Sequence, residues 1–124
     1  MPQIAWRGEV TNRFPNCGLT RVFGFTFDQN GGLAGDVWIH GWWEGDAGIW
    51  AKSEWTAFGT GTSWQGDEGN WDWVINWYPQ AGTWNVCVVP NAGSTNCISD
   101  RISVVTDTDC RSGTQVYRIT FRRN

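Results

Sequence analysis

Histidine occurs once in this chain of 124 residues, at position 40, and lysine once, at position 52. A single histidine and four cysteines with no C-x-x-C pair leave no zinc site of ordinary spacing. No serine or cysteine sits in a nucleophile motif such as G-x-S-x-G. A carboxylate pair able to act on a glycosidic bond would need a cleft that a domain of this size seldom builds. The chain therefore reads as non-catalytic. No run approaches the ~18 apolar residues of a membrane span, so insertion into a bilayer is not expected. Met1-Pro-Gln-Ile lacks the basic and apolar regions of a signal peptide. Charged residues are sparse at 17%, and no 3.6-residue apolar period or internal repeat is visible, which excludes a helical bundle. Positive charge is scarcest in the middle. From Asp28 to Asp72 there are eight carboxylates against Lys52 alone. Such a segment would repel phosphate backbones, so nucleic acid is excluded as a partner despite the many rings able to stack on bases.

What is abundant is tryptophan, with eleven residues, nine of them between Trp38 and Trp77. Sixteen glycines join Asn, Asp and Ser in clusters that separate short runs rich in β-branched and aromatic residues. The strands expected from this punctuation are 4–10, 20–27, 37–43, 49–58, 71–75, 83–89, 102–106 and 115–121. Together they predict an all-β fold: a single antiparallel Greek-key β-sandwich of seven or eight strands filling one domain over residues 1–124.

Period-two alternation then sorts the rings. Trp71, Trp73 and Ile75 share one face, and Trp84, Val86 and Val88 another; both sets are assigned to the core. Trp38, His40 and Trp42 alternate with Val37, Ile39 and Trp43. Trp50, Lys52 and Glu54 share a charged face, opposite Ile49, Ala51, Ser53 and Trp55, so Trp50 is expected outside. By pattern alone, Phe23, Phe25 and Phe27 would point inward. Trp64 lies in the polar 59–70 loop, as a latch or a contact residue.

Three disulfide pairings are possible for Cys17, Cys87, Cys97 and Cys110. Cys87 and Cys97 flank a short turn-rich segment and can close a hairpin, leaving Cys17 and Cys110 to tie the ends of the domain. The loop-entropy model gives roughly 2–3 kcal/mol for the short link and roughly 4–5 for the long one. Two bridges in so small a β domain predict a secreted, extracellular or cell-surface setting, with four buried free thiols as the contrary reading.

Three segments carry a family resemblance: G-x-x-x-D-Q-N-G-G-L-A-G-D-V-W-I at 24–39, D-E-G-N-W-D-W at 67–73 and P-Q-A-G-T-W-N-V-C-V-V at 79–89. In order and spacing they resemble the carboxypeptidase-regulatory-like (transthyretin-like, Ig-like) β-sandwich modules of secreted bacterial proteins, over about residues 15–120. The resemblance implies an accessory module without a catalytic centre. It also implies that Gly24, Asp28, Gly31, Gly35, Gly69, Trp71, Gly82 and Trp84 specify the fold. It further implies that Val22 and Thr26 face inward, reversing the pattern reading of the three phenylalanines. The chain departs from the family at Thr26, at Gly32 and in an insertion-like stretch over 44–66.

Trp38, Trp42, Trp50 and Trp64, with Asp46 and Glu54, are the candidate ligand-binding residues. Indoles stack on the apolar face of a sugar while carboxylates accept bonds from its hydroxyls. The expected partner is a polysaccharide or cell-envelope glycan. The competing expectation is a structural or assembly domain whose aromatic surface packs on neighbouring domains or on another copy. A small second core capped by the 59–70 loop would be the purely structural alternative. No cofactor is expected. Asp67, Glu68, Asn70 and Asp72 are the densest oxygen-ligand set for Ca²⁺, but they lack the spacing of a known calcium loop and read more simply as a solvated turn.

Overall fold

The computed structural model describes residues 4–59 and 68–124. They form eight strands and no helix: β1 (Trp6–Phe14), β2 (Thr20–Phe27), β3 (Trp38–Trp43), β4 (Ile49–Lys52), β5 (Trp71–Asn76), β6 (Gly82–Val89), β7 (Ile102–Thr106) and β8 (Val116–Arg123). Two four-stranded sheets face each other, in the orders β1-β8-β2-β5 and β4-β3-β6-β7. All pairings are antiparallel except β2 with β8, where Arg21 to Phe27 run parallel to Val116 to Arg122. A parallel pair needs a long crossover, supplied here by everything between the second strand and the last.

The core lies between the sheets. Val22, Trp71, Trp73, Tyr117, Ile119 and Phe121 from one sheet meet Ile39, Trp84, Val86, Val88 and Val104 from the other. Val22 and Thr26 point inward, whereas Phe23, Phe25 and Phe27 cover the opposite face of their sheet. The alternation pattern alone is therefore overturned at β2, because both of its faces are apolar and arginines make the outer one habitable. The guanidinium carbon of Arg21 lies 4.2 Å from the Phe23 ring centre, and that of Arg122 lies 4.8 Å from the Phe27 ring centre.

Both disulfides expected from the spacing are present, Cys17–Cys110 and Cys87–Cys97, and they suit an oxidising, extracellular environment. The open sides of the sandwich are laced by backbone bonds. On one side the Ala5 and Trp6 N–H groups donate to the Ile98 carbonyl. On the other, the Glu54 N–H donates to the Asn70 carbonyl, and Phe58 bridges Gly69. Edge strands closed in this way offer less template for uncontrolled pairing.

The second lacing also explains why β4 is shorter than its alternation suggests. Buried Ser53 bonds through its hydroxyl to the Ala34 carbonyl and the Val37 N–H, and Glu54 then crosses to the other sheet. Residues beyond Lys52 leave the strand. Trp55, inward by alternation, is consequently a surface residue.

Candidate functional site

The outer face of the β4-β3-β6-β7 sheet carries Trp38, His40 and Trp42 of β3 and Trp50 of β4. His40 pairs with Trp50 on one side and Cys87 on the other, and Trp38 pairs with Lys52 and Val89. The His40 ring, only 3% exposed, is stacked between two indoles, 4.7 Å from Trp42 and 4.4 Å from Trp50 between centres. Its Nδ1 is 3.0 Å from the Ile49 carbonyl oxygen. Trp50 donates its indole N–H to the Ser94 carbonyl, in the segment that the Cys87–Cys97 bridge holds against the sheet. The Arg101 guanidinium lies 5.3 Å from the Trp42 ring centre and donates to Asn85 Oδ1.

These contacts change what the two indoles can do. Trp42 is engaged by His40 and Arg101, and Trp50 by His40 and Ser94, so both have lost most of the free ring face that stacking requires. They form a small outer cluster against which the 90–97 segment packs through Ser94, while residues 60–67 of the 59–70 loop lie outside the described residues. Beside them is a depression of about 320 Å³, lined by Trp42, Asp46, Thr95 and Arg101 among others. Asp46 is held there by its N–H bond to the Trp43 carbonyl and by a bond from the Gly48 N–H to its carboxylate.

A free indole face occurs at the other end of β4. Trp55 is 62% exposed. It lies flat on Gly35, where a β-carbon would stand 2.5–2.6 Å from Cγ, Cδ1 and Cδ2 of the indole. The ring is thus seated on bare backbone, and any side chain at position 35 would unseat it. The Trp55 N–H donates to Asp36 Oδ2 at 3.2 Å, and Lys52 Nζ is 3.3 Å from Asp36 Oδ1. Asp36 itself adopts a left-handed backbone conformation (φ 59°), uncommon outside glycine, and donates its N–H to the Ser53 carbonyl. Strained residues of this kind cluster at ligand clamps.

The Trp55 N–H, and after it the Lys52 ammonium, hold the Asp36 carboxyl below its ordinary value of 3.8. Because the folded-state value is depressed, the tether is complete above the ordinary value and is lost as pH falls through the lowered one. The Trp55 indole N–H resonance should therefore titrate with a midpoint below 3.8. In Trp55→Phe, the Asp36 midpoint should rise toward the ordinary value. An unshifted midpoint in the wild-type chain would show that the tether does not form in solution.

The sequence-predicted residues are thus divided. Trp38, half-buried, lies on the same face as Lys52 and so toward the Trp55 end; Glu54 is exposed and adjacent in sequence to Trp55. Trp42, Trp50 and Asp46 belong to the central cluster and its depression. Trp64 lies outside the described residues, as does Asp67. The remaining oxygen ligands weighed for Ca²⁺ are already engaged or apart. The Asn70 amide is buried and bonded to Thr26, Ala34 and Glu54, Asp72 pairs with Arg21, and Glu68 is exposed. Sequence reasoning did not single out Trp55. The preceding Ser53-Glu54 pair carries no turn signature that would mark its departure from the strand. No protein-family model matches the chain, and neither the curated proteins nor the solved structures include one similar to it.

Proposed function

We propose that this chain is a non-catalytic binding module of the extracellular space, and that it binds a polysaccharide or cell-envelope glycan along the outer face of the β4-β3-β6-β7 sheet. The observation that carries the proposal is Trp55: an indole with one face seated on Gly35, its N–H fixed by Asp36 and its other face open. A pre-positioned ring loses little conformational freedom on stacking against a sugar. Asp36, Lys52 and Glu54 stand by to exchange hydrogen bonds with hydroxyl groups. Trp38, half-buried and paired with Lys52 on the same outer face, extends this surface beyond Trp55. The resemblance of 24–39, 67–73 and 79–89 to accessory modules of secreted proteins points the same way. The sole histidine, stacked between indoles and bonded to a backbone carbonyl, is poorly placed for acid–base work.

Affinity electrophoresis through gels containing neutral and acidic polysaccharides, paired with sedimentation velocity, tests this reading. Retardation in at least one gel is expected, with a monomeric boundary. An assembly domain is the second reading, favoured by the large exposure of Trp77 (74%) and Val105 (61%). Unretarded migration together with a concentration-dependent dimer would move the assignment to that reading.

A further inference from the structure

At the opposite end of the sandwich from Trp55 is a notch of about 480 Å³, lined by Trp43, Glu44, Ile75, Asn76, Gln80 and Trp84 among others. We infer that this notch binds an organic cation, specifically an N-methylated ammonium group. Two of its walls are indoles set nearly at right angles, Trp43 and Trp84, with ring centres 5.9 Å apart and planes at 79°. Trp43 keeps 42% of its surface exposed. Trp84 is buried, packs edge-to-face against Trp43 and Trp73, and commits its N–H to Thr106 Oγ1 at 2.8 Å, so it backs Trp43 and leaves the Trp43 ring as the face offered to a ligand. Asn76 and Gln80 are hydrogen-bonded to each other through their side-chain amides, which reduces what they can offer a polar ligand.

The charge of the lining decides the class of ligand. Among the described residues that line it, Glu44 is the one that is charged, and none is a lysine, arginine or histidine. An anion would therefore meet a carboxylate with nothing to offset it. A methylated ammonium group has few or no N–H donors, so hydrogen-bonding side chains recognise it poorly. Indole faces attract it through their negative quadrupole, and tryptophan is the best ring for this. A carboxylate at the rim supplies the counter-charge. This site does not depend on the glycan reading, since none of its residues belongs to the Trp55 surface.

The test is calorimetric titration with choline chloride and, separately, with 3,3-dimethylbutan-1-ol, its neutral isostere. Choline should bind in the millimolar range, and the isostere about tenfold more weakly, as the loss of a cation–π attraction of ~1.4 kcal/mol requires. Trp43→Ala should weaken choline binding about tenfold or more and Glu44→Gln several-fold, while Trp55→Ala should leave it unchanged. Trp43 is half-exposed, so its variant is expected to unfold cooperatively, as the wild type does. Should it not fold, the isostere comparison and Glu44→Gln still decide the matter. Absence of choline binding, equal affinity for the isostere, or wild-type affinity in Glu44→Gln would overturn the inference.

Discussion

Asn70→Asp should destabilise the domain by about 3–5 kcal/mol at neutral pH, although it keeps the heavy-atom count of the side chain. Asn70 is wholly buried. Its Oδ1 accepts the Thr26 N–H, while its Nδ2 group lies within hydrogen-bond distance of Thr26 Oγ1 at 2.9 Å, the Ala34 carbonyl at 3.1 Å and the Glu54 carbonyl at 2.9 Å. Only an amide has both the acceptor and the donors that this arrangement uses. An aspartate would turn a negative oxygen toward three oxygens with no cation at hand. Burial would raise its pKa in the folded state, so the variant should be least stable above the unfolded carboxyl value. Part of the loss should be recovered as the pH approaches 4 and the group protonates. Guanidinium unfolding at both pH values reads this out; a loss under 1 kcal/mol at pH 7 would contradict it. Asn70 also fixes the Ala34 carbonyl immediately before the Gly35 seat of Trp55, so the same variant should weaken any ligand that stacks there.

Gly24→Ala should be at least as damaging. Gly24 pairs with Ile119 in the parallel β2–β8 ladder, and a β-carbon there would land on the Ile119 carbonyl oxygen. The obstacle is backbone on both sides, so no rotamer change relieves it. The two strands would have to part, at a cost of about 3 kcal/mol or more. The Gly24 carbonyl also accepts the Asn70 N–H at 2.8 Å. Because the two sites share a partner, the double variant should cost less than the sum of the single ones. A Gly24→Ala chain with wild-type stability would mean that β2 and β8 do not lie in this register.

Much of the architecture is legible in the residues because its signals are local. Thr20–Phe27 and Ile102–Thr106 have the bounds that alternation and turn residues imply, and Trp71, Trp73 and Trp84 are inward as their strands alternate. Alternation fails where both faces of a strand are apolar. In β2 the deciding facts include the crowding of Gly24 against Ile119 and the cover of Phe27 by Arg122, both long-range in sequence; only Arg21 over Phe23 is local. The site is less legible for the same reason. Trp38, Trp42 and Trp50 do line one outer face, but a stack with His40, a cation from position 101 and a carbonyl from position 94 occupy the latter two rings. Trp55 leaves the inward series only because Glu54 bonds to Asn70, a partner 16 residues away. Nothing in a window around residue 55 encodes that contact.

The measurement that bears most directly on the proposed function is the affinity of the wild-type chain, Trp55→Ala and Trp77→Ala for whichever polysaccharide retards the wild type. Trp55 and Trp77 are both well exposed, but only Trp55 is seated on a glycine and tethered by its N–H. Removal of an anchoring ring of this kind costs about 2 kcal/mol or more, equivalent to roughly thirtyfold in affinity. That loss is expected in Trp55→Ala, and wild-type binding in Trp77→Ala. Undiminished binding by Trp55→Ala would contradict the proposed function.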